Sequence, residues 1–168
     1  MKKGIVILAA VSMWILSDLQ VDSAENEYLS DEIVAYTEEI GEEYGICPEF
    51  IQAIIERESR GDKEANNGYC IGLMQIYQKY HEDRMERLGV SDLYDPYSNI
   101  LVGADYLAEL FDKYEDPYLV LMVYNMGYRK AISLYSNEQY TDYAVEICDR
   151  SVELERIHGK RKEKICRK

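Results

Sequence analysis

Between Pro117 and Gly127 the chain reads PYLVLMVYNMG, a run opened by a proline, closed by a glycine and apolar on nearly every side. Proline is suited to the first turn of a helix, where its missing N–H costs nothing, and glycine to the residue just past the end. A helix that is apolar all round has no solvent face and must be enclosed by other elements. The rest of the chain supplies them. SDEIVAYTEEIGEEYG places Ile33, Tyr36 or Thr37, Ile40 and Tyr44 at helical spacing, with Ser30 as the capping residue and Gly45 as the stop. A second helix opens at Pro48 and ends between Ser59 and Gly61, after which GDKEANNGYCIG reads as loop. LMQIYQKYHEDRMERLG and NILVGADYLAELFDKY read as two further helices, and the segments Tyr128–Tyr135 and Tyr140–Ile157 as the last two. No alternating strand pattern stands out. An all-α or nearly all-α fold is expected, and 168 residues suffice for one core.

The ends differ from the middle. Lys2 and Lys3 precede the apolar run GIVILAAVSMWIL and then a polar stretch, so residues 1–24 read as an export signal with cleavage after Ser23 or Ala24. The alternative is an uncleaved N-terminal anchor. Residues 25–150 form the body, and 151–168 a basic tail. From Glu25 to Asp149 there are 9 basic against 27 acidic residues, and from Arg150 onward 8 basic against 3 acidic. An acidic body excludes nucleic acid as a natural partner, because phosphate backbones demand a basic face. The tail is suited at most to weak contact with an anionic surface. Cys47, Cys70, Cys148 and Cys166 lack the spacing of a zinc site, and no metal or cofactor is expected. In an oxidising compartment at least one bridge is expected, with Cys47, Cys70 and Cys148 favoured over Cys166. His81 and His158 lie in charged stretches and read as surface residues.

One carboxylate is out of place. On the helix from Pro48, Glu58 follows Ile51, Ile54 and Ile55 by seven, four and three residues, the same-face separations of a helix. Glu56 falls about 200° around from Ile54 and faces away. A buried carboxyl group holds its proton to higher pH, which is what a general acid needs. Downstream, Gly72 permits close backbone approach, Leu73 and Met74 offer an apolar wall, and Gln75 an amide. Tyr124 and Asn125 end the apolar helix, and Tyr143 sits on the last one.

Taken in order, Glu58-Ser59, Gly72-Leu73-Met74-Gln75, Tyr124-Asn125-Met126-Gly127 and Tyr143 resemble the soluble lytic transglycosylase domain of the goose-type lysozyme-like superfamily, over about Ile33 to Ile147. The resemblance implies a lysozyme-like helical domain with a substrate groove, acting outside the cytoplasm as a monomer on peptidoglycan glycan strands. It implies Glu58 as the single catalytic acid/base and Ser59 as its support. Gly72, Leu73, Met74 and Gln75 would line the glycan groove, Tyr124 and Asn125 contact substrate, and Tyr143 face the acid. Val123 and Met126 stand where the family usually has alanines, and the usual Glu-Thr lead before the last tyrosine is missing. The implied reaction cuts between N-acetylmuramic acid and N-acetylglucosamine and closes a 1,6-anhydro ring. The alternatives are a hydrolytic muramidase of the same fold, for which Asp62 and Asp95 are candidate second acids, and a non-catalytic wall-binding or assembly protein.

Overall fold

The computed structural model describes residues 28–160. The apolar run forms helix α5 (Pro117–Met126), and Leu119 through Val123 are all buried. Around it and beside it stand α1 (Asp31–Tyr44), α2 (Pro48–Ser59), α3 (Gln78–Leu88), α4 (Pro96–Lys113), α6 (Tyr128–Tyr135) and α7 (Asp142–Ile157). α5 packs on α4, α6 and α7, while α2 packs on α1 and α7. The fold is helical, with one short two-stranded hairpin.

The helices begin where local chemistry says they should. Ser30 caps α1 by accepting from the Ile33 N–H. Asp95, Asp116 and Thr141 cap α4, α5 and α7 in the same manner. Proline occupies the first turn of α2, α4 and α5.

Two expectations need correction. The helix expected from Leu73 starts only at Gln78. Cys70–Ile71 (β1) and Ile76–Tyr77 (β2) instead pair as an antiparallel hairpin. At two residues per strand this hairpin has too little alternation to be read from sequence, and its support is tertiary. The Asn99 side chain on α4, wholly buried, accepts from the Met74 N–H and donates to the carbonyls of Ile71 and Leu93. Gly72 sits at φ 75, and a Cβ there would collide with the Asn99 amide, so only glycine closes this turn.

The second correction concerns cysteine. Among the described residues no disulfide joins Cys47, Cys70 or Cys148. Cys47 caps α2, Cys70 opens the hairpin and Cys148 is buried on α7. The export signal, Cys166 and the last eight residues of the basic tail lie outside the described residues. α7 itself continues past residue 150, with Leu154 and Glu155 buried, so the helical body extends to Ile157. No described helix is long and apolar enough to cross a membrane.

Candidate active site

The face of α2 that packs into the core ends in a groove. Ile51, Ile54 and Ile55 are fully buried. Glu58, one turn further, lines a cleft of about 810 Å³. α2 stops directly after it, with Arg60 in the left-handed conformation and its N–H returned to the Glu56 carbonyl. The packing of α7 on α2 brings Tyr143 behind the acid, and its hydroxyl donates to Glu58 Oε1 at 2.6 Å. Burial raises the Glu58 carboxyl above its ordinary range; the Tyr143 hydrogen bond and the Arg57 charge oppose that and do not cancel it. Arg57 is turned away: it binds Glu146 at 2.9 Å and lies over the Tyr143 ring. No described cation forms an ion pair with Glu58.

The facing wall comes from the hairpin and α5. Gln75 lines the cleft at φ 48, its side-chain amide donating to the carbonyls of Ala65 and Gly72. Tyr124 donates to the Met74 carbonyl at 2.8 Å, and Asn125 lies exposed on the rim. Val123 and Met126 line the cleft beside them. Leu73 and Met74 take another place: both side chains are buried in the core, Met74 against Gly103, and neither lines the cleft. Ser59 bonds back to the Ile55 carbonyl of its own helix and makes no described hydrogen bond to Glu58.

Several side chains have surroundings that periodicity alone does not reveal. Glu56 faces away from the core stripe but is covered by α7, where Arg150 grips it with two nitrogens. His81 is buried, not superficial. It lines the cleft, and burial and the nearby Arg84 charge push its imidazole down to about 4, so it is neutral. His158 pairs with Glu49 at 2.9 Å. Asp62 and Asp95 serve the backbone, Asp62 accepting from the Glu64 N–H and Asp95 from the Ser98 N–H, and neither lines the cleft. The other carboxylate that lines it is Glu109, which Arg84 and Lys113 hold and keep below its ordinary range.

Tyr77, Tyr80, His81 and Arg84 also line the cleft. Their spacing of three, four and seven is itself a helical stripe, and it is the signal that sequence reasoning passed over. Tyr106 and Glu109, one turn apart on α4, face them. Cys70 completes the wall near Glu58. Among the described residues no group of His, Cys, Asp and Glu is arranged to hold a metal ion.

Comparison with known proteins agrees with this geometry. Residues 35–145 match the model of the family described as the transglycosylase SLT domain. An X polypeptide of Escherichia coli is 35% identical over 115 residues, covering 64% of this chain and 66% of its own length. A transglycosylase of Enterobacteria phage PRD1 is 32% identical over 90 residues, covering 53% of this chain and 32% of its own. An inactive variant of the lytic transglycosylase Slt from Pseudomonas aeruginosa shares the fold, with a TM-score of 0.66 at 18% identity, over 89% of this chain and 27% of that one. The match thus covers only part of each relative's length.

Proposed function

The chain belongs to the transglycosylase SLT domain family, and from that premise we propose that it is a peptidoglycan lytic transglycosylase acting outside the cytoplasm, with Glu58 as its acid and base. The observation that carries the reading is the state of Glu58. It is a carboxyl group raised by burial, fixed by a phenol and facing an open cleft. Burial favours the protonated form that a general acid needs, and the cleft gives it a direction in which to deliver the proton.

In this reading a glycan strand lies along the cleft with its scissile oxygen at Glu58. Glu58 protonates the leaving oxygen between N-acetylmuramic acid and N-acetylglucosamine. The acetamido oxygen of the muramic acid stabilises the cationic centre, as in substrate-assisted glycosidases. Glu58, now a carboxylate, takes the proton of the 6-hydroxyl, which closes the 1,6-anhydro ring. The proton count balances without water or a second acid. The confinement of Glu109 supports a mechanism with one working carboxylate, since a group held by Arg84 and Lys113 is not free to position water. Tyr143 orients Glu58, Tyr124 and Gln75 shape the wall opposite, and Asn125 is placed to meet substrate at the rim.

The test is to digest purified peptidoglycan and weigh the soluble muropeptides. Products lighter by one water than their hydrolysed counterparts, absent with Glu58→Gln, support the proposal. Reducing ends alone would make the protein a muramidase. Release of nothing by the wild type would leave the non-catalytic wall-binding reading.

A further inference from the structure

The cleft wall and the loop beside it carry side chains that neither the acid chemistry nor the packing requires. Tyr69 precedes β1, Tyr77 ends β2 and Tyr80 lies in the first turn of α3. Their rings meet edge to face, with centroids 5.9 Å apart for Tyr69 and Tyr77 and 4.5 Å for Tyr77 and Tyr80. Tyr80 is 76% and Tyr69 68% exposed, more than any other large apolar side chain among the described residues. None of the three hydroxyls has a hydrogen-bond partner among those residues. Scattered exposed aromatics need no explanation, whereas three linked through Tyr77 form a patch that the fold gains nothing by exposing.

The patch is held in place. Asn67 Oδ1 accepts from the N–H groups of Tyr69 and Cys70, and Asn66 Oδ1 from that of Gly68, so the loop carrying Tyr69 is fixed by its own side chains. The patch is also continuous with the site, because Tyr77 and Tyr80 line the same cleft as Glu58. A flat apolar face with a free hydroxyl at its edge matches a pyranose ring, which presents axial C–H groups on its face and hydroxyl or acetamido groups around its rim. The rings carry no charge, so they offer no ion-pair partner to the stem-peptide carboxylates.

We propose that Tyr69, Tyr77 and Tyr80 form a sugar-stacking platform that holds a hexosamine ring of the glycan strand away from the bond at Glu58, and that it makes the protein favour long strands over short ones. The proposal rests on the glycan reading of the cleft, and two separate readouts keep them apart. The first is co-sedimentation of the Glu58→Gln protein with insoluble, peptide-free glycan strands, with and without Tyr69→Ala or Tyr80→Ala. Each alanine should weaken retention roughly tenfold. Tyr80→Phe should keep most of it, and Tyr140→Ala, an exposed tyrosine outside the cleft lining, is the matched control. The second readout is kcat/KM on long strands relative to tetrasaccharide in the active protein, a ratio that should fall by a similar factor in the alanine variants. Retention and ratio both equal to wild type in Tyr69→Ala and Tyr80→Ala would overturn the platform, as would failure of the parent protein to sediment with glycan. A parent that sediments through these tyrosines yet releases no product keeps the platform and removes the catalytic reading alone.

Discussion

Helix α2 carries a glutamate near each end, Glu49 buried and Glu58 half-buried, and the protein treats the two in opposite ways. Glu49, in the first turn, has no exposed surface and is met by Lys160 at 2.8 Å, His158 at 2.9 Å and the Cys47 thiol at 3.1 Å. Burial alone would raise its carboxyl, but these donors outweigh it and bring it down to about 2. Glu58, in the last turn, meets a single phenol and no paired cation, and burial prevails. Both are carboxylates of one helix that lose part or all of their water to the core. What separates a fixed structural charge from a transferable proton is therefore the company each keeps. Glu49 fastens the end of α7 to the start of α2, and Glu58 opens onto the cleft.

The largest effect should come from removing the proton itself. Glu58→Gln keeps the size and the bond from Tyr143 but cannot donate, so glycan cleavage should fall about a thousandfold or more. Stability should not fall with it. A folded-state pKa raised above the unfolded value contributes stability at low pH that is lost as pH rises through the folded pKa. Above its folded pKa the wild type therefore has a carboxylate to accommodate in a half-buried site, which the variant lacks. Thermal melts at neutral pH should place Glu58→Gln at or above the wild type, and a clear loss would break the comparison.

Tyr143→Phe tests the phenol. Its hydrogen bond lowers the Glu58 carboxyl, so removing it should raise that pKa further. Cleavage needs the protonated acid in the free enzyme, and its alkaline limb should move to higher pH while the peak rate drops roughly tenfold. A pH profile of kcat/KM that loses height without moving would make Tyr143 a packing residue only.

At the other end, Glu49→Gln should cost about 2 kcal/mol of stability, the scale of hydrogen bonds to a charged group, and leave cleavage by the folded protein near wild type. Here the sign is reversed. A pKa lowered from 4.5 to about 2 contributes stability that is present above pH 4.5 and lost as pH falls toward 2. Melts across that window should show the wild type falling toward the variant. Parallel curves would mean that Lys160 and His158 do not stabilise the Glu49 charge.

Much of this contrast was legible in the sequence, and its limits are physical. Pro117, Gly127 and the apolar run between them dictated a central helix, and Glu58 stood on the stripe of Ile51, Ile54 and Ile55 because periodicity is local. Glu49 carried no such signal. It reads as an ordinary first-turn acid, and its burial depends on Lys160 and His158, more than a hundred residues along the chain. Glu56 faces away from the stripe as periodicity says, but its cover by α7 is tertiary and carried no local signal. Leu73 and Met74 were assigned to the cleft from motif order, yet the hairpin turns their side chains inward and presents Gln75 instead.

The smallest effect is also the most direct probe of the charge at Glu58. The Cys70 thiol shares the cleft wall; burial raises its pKa, the hydrogen bond with Asn67 lowers it, and the neighbouring Glu58 charge raises it again. At pH 8 to 9, around the ordinary thiol pKa, thiolate fraction sets the rate of alkylation. Glu58→Gln removes the repelling charge, so Cys70 should react with iodoacetamide up to about threefold faster. Glu49→Gln should leave that rate unchanged, because its carboxylate is not among the groups that act on Cys70. Cys47 and Cys148, both buried, should stay unlabelled until the chain unfolds. Mass mapping of the labelled peptide reads all three thiols in one experiment. Equal Cys70 rates in the wild type and Glu58→Gln would mean that Glu58 bears no charge at that pH, and its carboxyl would then be raised even further than burial against one phenol accounts for.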